Sequence, residues 1–227
     1  MMRHNRTTGP GRAIAVALAL GLGLSTNAPA APDGDAERER EPGARVLFDF
    51  NAPDASSRWR SVNDGVMGGV SEGAFRIDDS GVMRFSGTLS LENNGGFASV
   101  RTVPQDLGLA SIDEVLVLRL RGDGRPYLLN LYTPSRRTAF SYRAEFPTAE
   151  GEWIEARIPI RACRASSFGR PAPGDDPVDP TRVNALGITL SDKNPGPFLL
   201  EIQSIRVVRG DGSTAVTTSP ADQADAR

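Results

Sequence analysis

Apolar and polar residues alternate along most of this 227-residue chain, and a period of two is the mark of strands with one face in a core. "RVLFDF" (45–50), "GAFRID" (73–78), "VMRFSGTLSL" (82–91) and "GFASVRT" (96–102) read as the first strands, each bounded by Gly, Asn, Asp or Pro. In "EVLVLRLRG", Leu116, Leu118 and Leu120 share one face, and Val115, Val117, Arg119 and Arg121 share the other. "PYLLNLYT" (126–133), "AFSYRAEF" (139–146) and "EWIEARIPI" (152–160) continue as a meander. "RACRASSFGRPAPGDDPVDPTR" then breaks the rhythm with proline and glycine and reads as a long surface loop. "VNALGITLSD" and "PFLLEIQSIRVV" supply the last strands, and no stretch holds a helical period for three turns. About ten short strands separated by turns, with almost no helix, predict an all-β fold: an antiparallel β-sandwich of jelly-roll type.

The pattern fails at both ends. Arg3, Arg6 and Arg12 precede a charge-free run of twelve residues, "AIAVALALGLGL", and the small-residue stretch "STNAPAA" follows it. A membrane-crossing helix needs about 18 or more apolar residues. Residues 1–30 are therefore expected to be a secretory signal peptide cut after Ala30, and the protein to be exported, periplasmic or extracellular. A mitochondrial presequence is the alternative; it is also acid-poor, but it would spread its arginines along an amphipathic helix. Residues 31–44 read as a disordered linker and 210–227 as a disordered C-terminal tail. Residues 45–209 remain as a single domain.

Composition narrows the chemistry. Loss of residues 1–30 would remove three arginines and no acid, taking the formal charge from −2 to −5, which argues against nucleic acid as a partner. The one histidine, His4, lies in the leader, and Cys163 is the one cysteine. A processed chain then has no imidazole to act as general base, to activate a serine or to bind zinc. It has no thiolate cluster and no internal disulfide either. No cofactor, no metal and no enzymatic activity are expected. Carboxylates are what composition leaves open: Glu145, Glu152 and Glu155 as a pair of the glycosidase kind, and Asp175, Asp176 and Asp179 in "GDDPVDP" as oxygen ligands for calcium. A solvated strand face and an acidic surface loop account equally for those residues. Arg136, Arg137 and Arg143 form a basic cluster suited to an acidic partner or to anionic lipid.

Two glycine-rich stretches carry the sharpest signal, "VNDGVMGGVS" (62–71) and "LENNGGFASV" (91–100). Asn and Asp tolerate left-handed dihedrals and Gly adopts positive φ without a Cβ clash, so Gly65, Gly68, Gly69, Gly95 and Gly96 read as structural turns. Asn94-Gly95 is a strong hairpin signal. The polar groups beside them, Asn63, Asp64, Asn93, Asn94 and Arg101, are the candidates for binding a ligand or partner. An Asp64–Arg101 salt bridge joining the two stretches is the expectation, and it would be a structural role as readily as a binding one.

"WRSVNDGVMGGVSEGAF", led by Trp59, followed by "MRFSGTLSLENNGGFASVR" and late "LGITLSDKNPGPFLLEIQSIRV", resembles the signature of the CIA30 family, the complex I intermediate-associated protein 30 domain, over about Val46 to Val208. The resemblance implies a galactose-binding-domain-like jelly roll akin to carbohydrate-binding modules. It also implies a non-catalytic helper in assembly of NADH:ubiquinone oxidoreductase, with a protein partner, a membrane complex among the candidates. Carbohydrate recognition is the alternative, with Trp59, Tyr127, Tyr132, Tyr142 and Trp153 as the rings available to stack on a sugar.

Overall fold

A computed structural model describes residues 43–221. In chain order the strands are β1 (Arg45–Asp49), β2 (Trp59–Ser61), β3 (Glu72–Ile77), β4 (Met83–Leu89), β5 (Ala98–Thr102), β6 (Glu114–Arg121) and β7 (Tyr127–Tyr132), followed by β8 (Phe140–Phe146), β9 (Trp153–Pro159), β10 (Arg164–Ser167), β11 (Arg170–Pro171), β12 (Ala185–Leu190), β13 (Gly196–Arg209) and β14 (Thr217–Pro220). They form two sheets of seven strands. The first runs β14-β9-β6-β13-β4-β3, with β1 also pairing β13, and the second runs β11-β10-β8-β7-β12-β5-β2. Paired strands are antiparallel throughout, so the architecture is the expected all-β sandwich.

The core lies between the sheets, where the alternation of the sequence places it. Leu116, Leu118, Leu120, Ile158, Leu200 and Ile202 from the first sheet meet Leu129, Leu131, Phe146, Leu186 and Ile188 from the second, all at 0% exposure. Burial of each such side chain stabilises the fold by about 1.5–3 kcal/mol. Trp59 closes one end against Phe48, with ring centroids 5.1 Å apart, and Phe50, at 5.9 Å.

Strand β13 needs a device to stay in this core for fourteen residues. Ile202 is paired with Leu120 and Ser204 with Arg119, so Gln203 is an extra residue with no partner in β6. Before it Phe198, Leu200 and Ile202 face inward, and after it Ile205 and Val207 do. Without the bulge, the second half would turn its apolar face to solvent, because side chains change face at every residue.

Three expectations change. The meander is interrupted: β6 pairs β9 and β13, whereas β7 and β8 form a hairpin in the other sheet. The chain crosses between layers there because both faces of the core need strands and successive runs can serve opposite sheets. The long loop contains β10 and β11, strands of four and two residues that end the second sheet and are too short to show a period. Residues 210–227, expected to be disordered, include β14, whose backbone pairs β9 from Thr217–Arg157 to Pro220–Ile154. An edge strand requires only backbone partners, and all four of its residues are exposed, so no apolar pattern marks it. The expected signal peptide lies outside the described residues, as does the linker apart from residues 43 and 44. Among the described residues, no helix is long and apolar enough to cross a membrane.

Candidate functional site

Asp64 opens a short 3-10 turn, Asp64–Met67, that ends at Gly68 with φ 90°. Its side chain is fully buried. Oδ1 accepts the Ser71 N–H at 2.9 Å, and Oδ2 accepts the Ser71 hydroxyl at 2.6 Å, the Gly96 N–H at 2.6 Å and the Phe97 N–H at 3.3 Å. Ser71 in turn accepts the Ser90 N–H at 3.0 Å. One carboxylate thus clasps both glycine-rich stretches. Burial alone would push its pKa up; the hydrogen bonds from the Ser71 hydroxyl and from the amides of Gly96, Ser71 and Phe97 outweigh that and hold it below the usual carboxylate value.

The glycines make room for this anion. A Cβ on Gly69 would lie 2.4 Å from the Asp64 Cγ, and one on Gly95 would lie 2.5 Å from Oδ2. Asn63 ties the same region together from the other side: its Nδ2 donates to the Gly73 carbonyl at 2.9 Å and its Oδ1 accepts the Ser99 N–H at 3.3 Å. Asn93 and Asn94 are exposed and adopt the left-handed conformation, with φ 54° and 57°.

The expected Asp64–Arg101 pair is not formed. The lone pairs of Asp64 are directed at Ser71, Gly96 and Phe97, while Arg101 lies on the outward face of β5 with its guanidinium 3.8 Å from the centre of the Tyr132 ring. The amides of the second stretch reach the carboxylate first, and the pleat directs Arg101 away from it. Arg101 Nε is buried without a hydrogen-bond partner, a loss of about 1–3 kcal/mol that the surrounding sheet absorbs. Asp64 and Asn63 therefore face the protein rather than a ligand.

What the rim shows to solvent is apolar, and none of it is among the polar candidates named from the sequence. Val66 is 73% exposed and Met67 56%, with Val70 and Leu91 also exposed. The Ser71–Ser90 bond brings the chain at Val70 and Leu91 together, and Leu91 Cδ2 lies against Gly96. The available signal was the spelling itself: a turn needs Asn, Asp and Gly, and gains nothing from the Val, Met and Val set among them.

The remaining candidates are dispersed. Glu155 is buried on the outward face of the first sheet, where its Oε1 lies 2.7 Å from Arg206 Nη2, whereas Glu145 is exposed on the second sheet, so they do not flank a common site. Asp175 pairs with Arg137, Asp176 accepts the Ala165 N–H at 2.7 Å, and Asp179 caps Thr181 at 3.1 Å. Among the described residues, no group of three or more His, Cys, Asp or Glu is placed to hold a metal ion. Of the candidate sugar-stacking rings, Tyr127, Trp59 and Tyr142 are buried in the core. Tyr132 and Trp153 are on different sheets, each with an arginine over it.

The fold defines a class. It resembles the family 11 carbohydrate-binding module of Clostridium thermocellum solved with a mixed-linked tetrasaccharide, at TM-score 0.55 and 14% identity over 74% of this chain and 96% of that one. The same family's module from the cellulase Lic26A-Cel5E of that organism matches at TM-score 0.55 and 13% identity, over 74% and 95%. This is a galactose-binding-like β-sandwich.

The sequence then places the chain within the class. Residues 48–202 match the family described as Complex I intermediate-associated protein 30 (CIA30), and the chain belongs to that family. The mouse protein "Complex I intermediate-associated protein 30, mitochondrial" is 29% identical over 184 residues, 72% of this chain and 56% of the relative. Its Drosophila melanogaster namesake is 29% identical over 181 residues, 70% of this chain and 61% of the relative. The chain thus spans less than two thirds of the length of these relatives. Both are mitochondrial, and the expectation of export is corrected accordingly: arginines without acids at the start of a chain belong to presequences as well as to secretory leaders.

Proposed function

We propose that this chain is a non-enzymatic binding module that serves assembly of NADH:ubiquinone oxidoreductase, complex I, by contact with a protein of that complex or of its assembly intermediates. The single observation that carries the reading is the apolar rim of Val66, Met67, Val70 and Leu91, held out to solvent on loops that a buried carboxylate fixes in place. Exposed apolar groups on rigid loops lose little entropy on docking, and the names of the curated relatives supply the class of partner.

The test is crosslinking of the tagged chain in its own cells, with the recovered proteins identified. Subunits of complex I or its intermediates are expected with the native chain and lost with Val66→Ser, Met67→Ser and Val70→Ser combined. Those side chains are exposed, so the variant keeps its fold. Recovery that is the same with and without the rim would overturn the reading.

A second reading, carbohydrate recognition, is favoured by the likeness of fold and by the amide–hydroxyl network of Asn130, Ser141 and Thr189 on the outward face of the second sheet. It lacks an open ring for a sugar to stack on. A glycan array without hits would discard it.

A further inference from the structure

The two sheets treat their outward arginines differently. On the first sheet, Arg84 and Arg121 flank the buried Glu201, and Arg206 meets Glu155. On the second, the strand registers set Arg60 opposite Arg101, Arg101 opposite Gly187, Gly187 opposite Asn130, Asn130 opposite Arg143, and Arg143 opposite Arg164. The result is one continuous row across six strands, with two arginine pairs and no acid in it. Like charges directly opposite on neighbouring strands are unfavourable, and this row has two such pairs. The one acid on the outward face of these strands is Glu145, in a neighbouring row beside Leu128.

The middle of the row is low. Gly187 has no side chain, and a Cβ there would meet the Val100 carbonyl at 2.8 Å and the Tyr132 ring at 3.2 Å. Asn130 is folded down onto Thr189 and Ser141, at 3.1 and 3.0 Å. Gly187 lets the Tyr132 ring lie across the sheet, where it supports the Arg101 guanidinium at 3.8 Å. Arg143 and Arg164 each direct one nitrogen to a backbone carbonyl, of Gly169 and Arg161 respectively. A guanidinium has five N–H donors, so both keep others for a ligand.

We propose that this row is the seat of an acidic, extended segment of the partner protein, a proposal that rests on the reading of the chain as a protein-binding module. Strands lie about 4.8 Å apart, which puts Arg101 and Arg143 about 14 Å from each other. An extended chain rises about 3.3 Å per residue, so carboxylates four residues apart span about 13 Å and reach both arginine pairs at once. Guanidinium forks match carboxylates in two-bonded geometry. An anionic glycan fits less well, because the one ring on this face is already covered by Arg101.

The experiment uses the full chain and a fluorescein-labelled peptide with two Glu-Glu pairs separated by Gly-Gly, followed by fluorescence anisotropy at low salt. Binding is expected, with loss on adding salt and a weakening of about tenfold in the Arg60→Gln, Arg143→Gln variant. Arg60→Gln with Arg164→Gln, both at exposed positions, is the second variant should the first fail to fold. The same affinity for a Gln-for-Glu peptide, no binding at all, or binding indifferent to the arginines would overturn the proposal. So would capture of a sulfated oligosaccharide in preference to the peptide. If the peptide binds as expected while crosslinking recovers nothing of complex I, the arginine row stands and the assembly role falls.

Discussion

Asp64→Asn keeps the shape of the clasp and removes its charge. The amide would keep its oxygen at the Oδ2 position, where the Ser71 hydroxyl and the Gly96 and Phe97 amides converge at 2.6, 2.6 and 3.3 Å. Its NH2 then confronts the Ser71 N–H, which lies 2.9 Å from the atom replaced, donor against donor. Stranding that buried N–H costs about 1–3 kcal/mol. The remaining bonds fall from charge-assisted to neutral, about 1 kcal/mol each at most. Relief from burying a charge offsets part of this. The net loss is about 3 kcal/mol, which at a urea slope of about 2 kcal/mol per molar lowers the unfolding midpoint by about 1.5 M. Acid supplies a check on the sign. The native carboxyl titrates below its unfolded value of 3.8, so its contribution is complete above that pH and declines as pH falls through the lowered native pKa. The gap between native and variant should be constant near neutrality and should narrow in acid. A midpoint moved by less than about 0.3 M, or a gap that grows in acid, would refute the clasp.

Other outcomes follow from the same geometry. Gly69→Ala and Gly95→Ala drive a Cβ to within 2.4 and 2.5 Å of Asp64 and should each lower stability by about 2 kcal/mol or more, whereas Gly65→Ala meets nothing within 4 Å and should stay within about 0.5 kcal/mol; urea midpoints compare the three. Burial pushes the Cys163 thiol up to about 12, so the folded chain should resist a maleimide at neutral pH and react on unfolding; rapid labelling in native buffer would contradict its place in the core. A chain ended after Gly212 lacks β14, leaves the edge of β9 bare, and should aggregate faster by light scattering at an only slightly lower melting temperature.

Local chemistry was readable in the sequence where distant pairing was not. The inward leucines of β6 and the Ile154, Ala156 and Ile158 stripe of β9 follow from period two and lie in the core as expected. The bends at Asn63–Gly65 and Asn94–Gly95 follow from backbone preference, but the hairpin expected at Asn94-Gly95 does not form: β4 and β5 lie in different sheets and Gly95 has φ −67°. The partner of Asp64 did not follow, because it comes from an amide 32 residues away whose position depends on how β3, β4 and β5 register. Opposite charges suggested Arg101; the pleat turned that side chain onto Tyr132. The arginine row was invisible for a similar reason. Its arginines are scattered from position 60 to position 164, and only five separate strand registers align them.

The unmatched residue in β13 governs what lengths this chain tolerates. Excision of Gln203 would leave Ile202, Ser204 and Ile205 in plain alternation, so Ile205 and Val207 would stay inward, Arg206 outward, and only the local irregularity would be lost. A residue lost within a regular half, Arg206 for example, would instead turn the apolar position beyond it, Val207, toward water. Descendants of this sequence can therefore shorten β13 at its unmatched residue more readily than anywhere else along the strand.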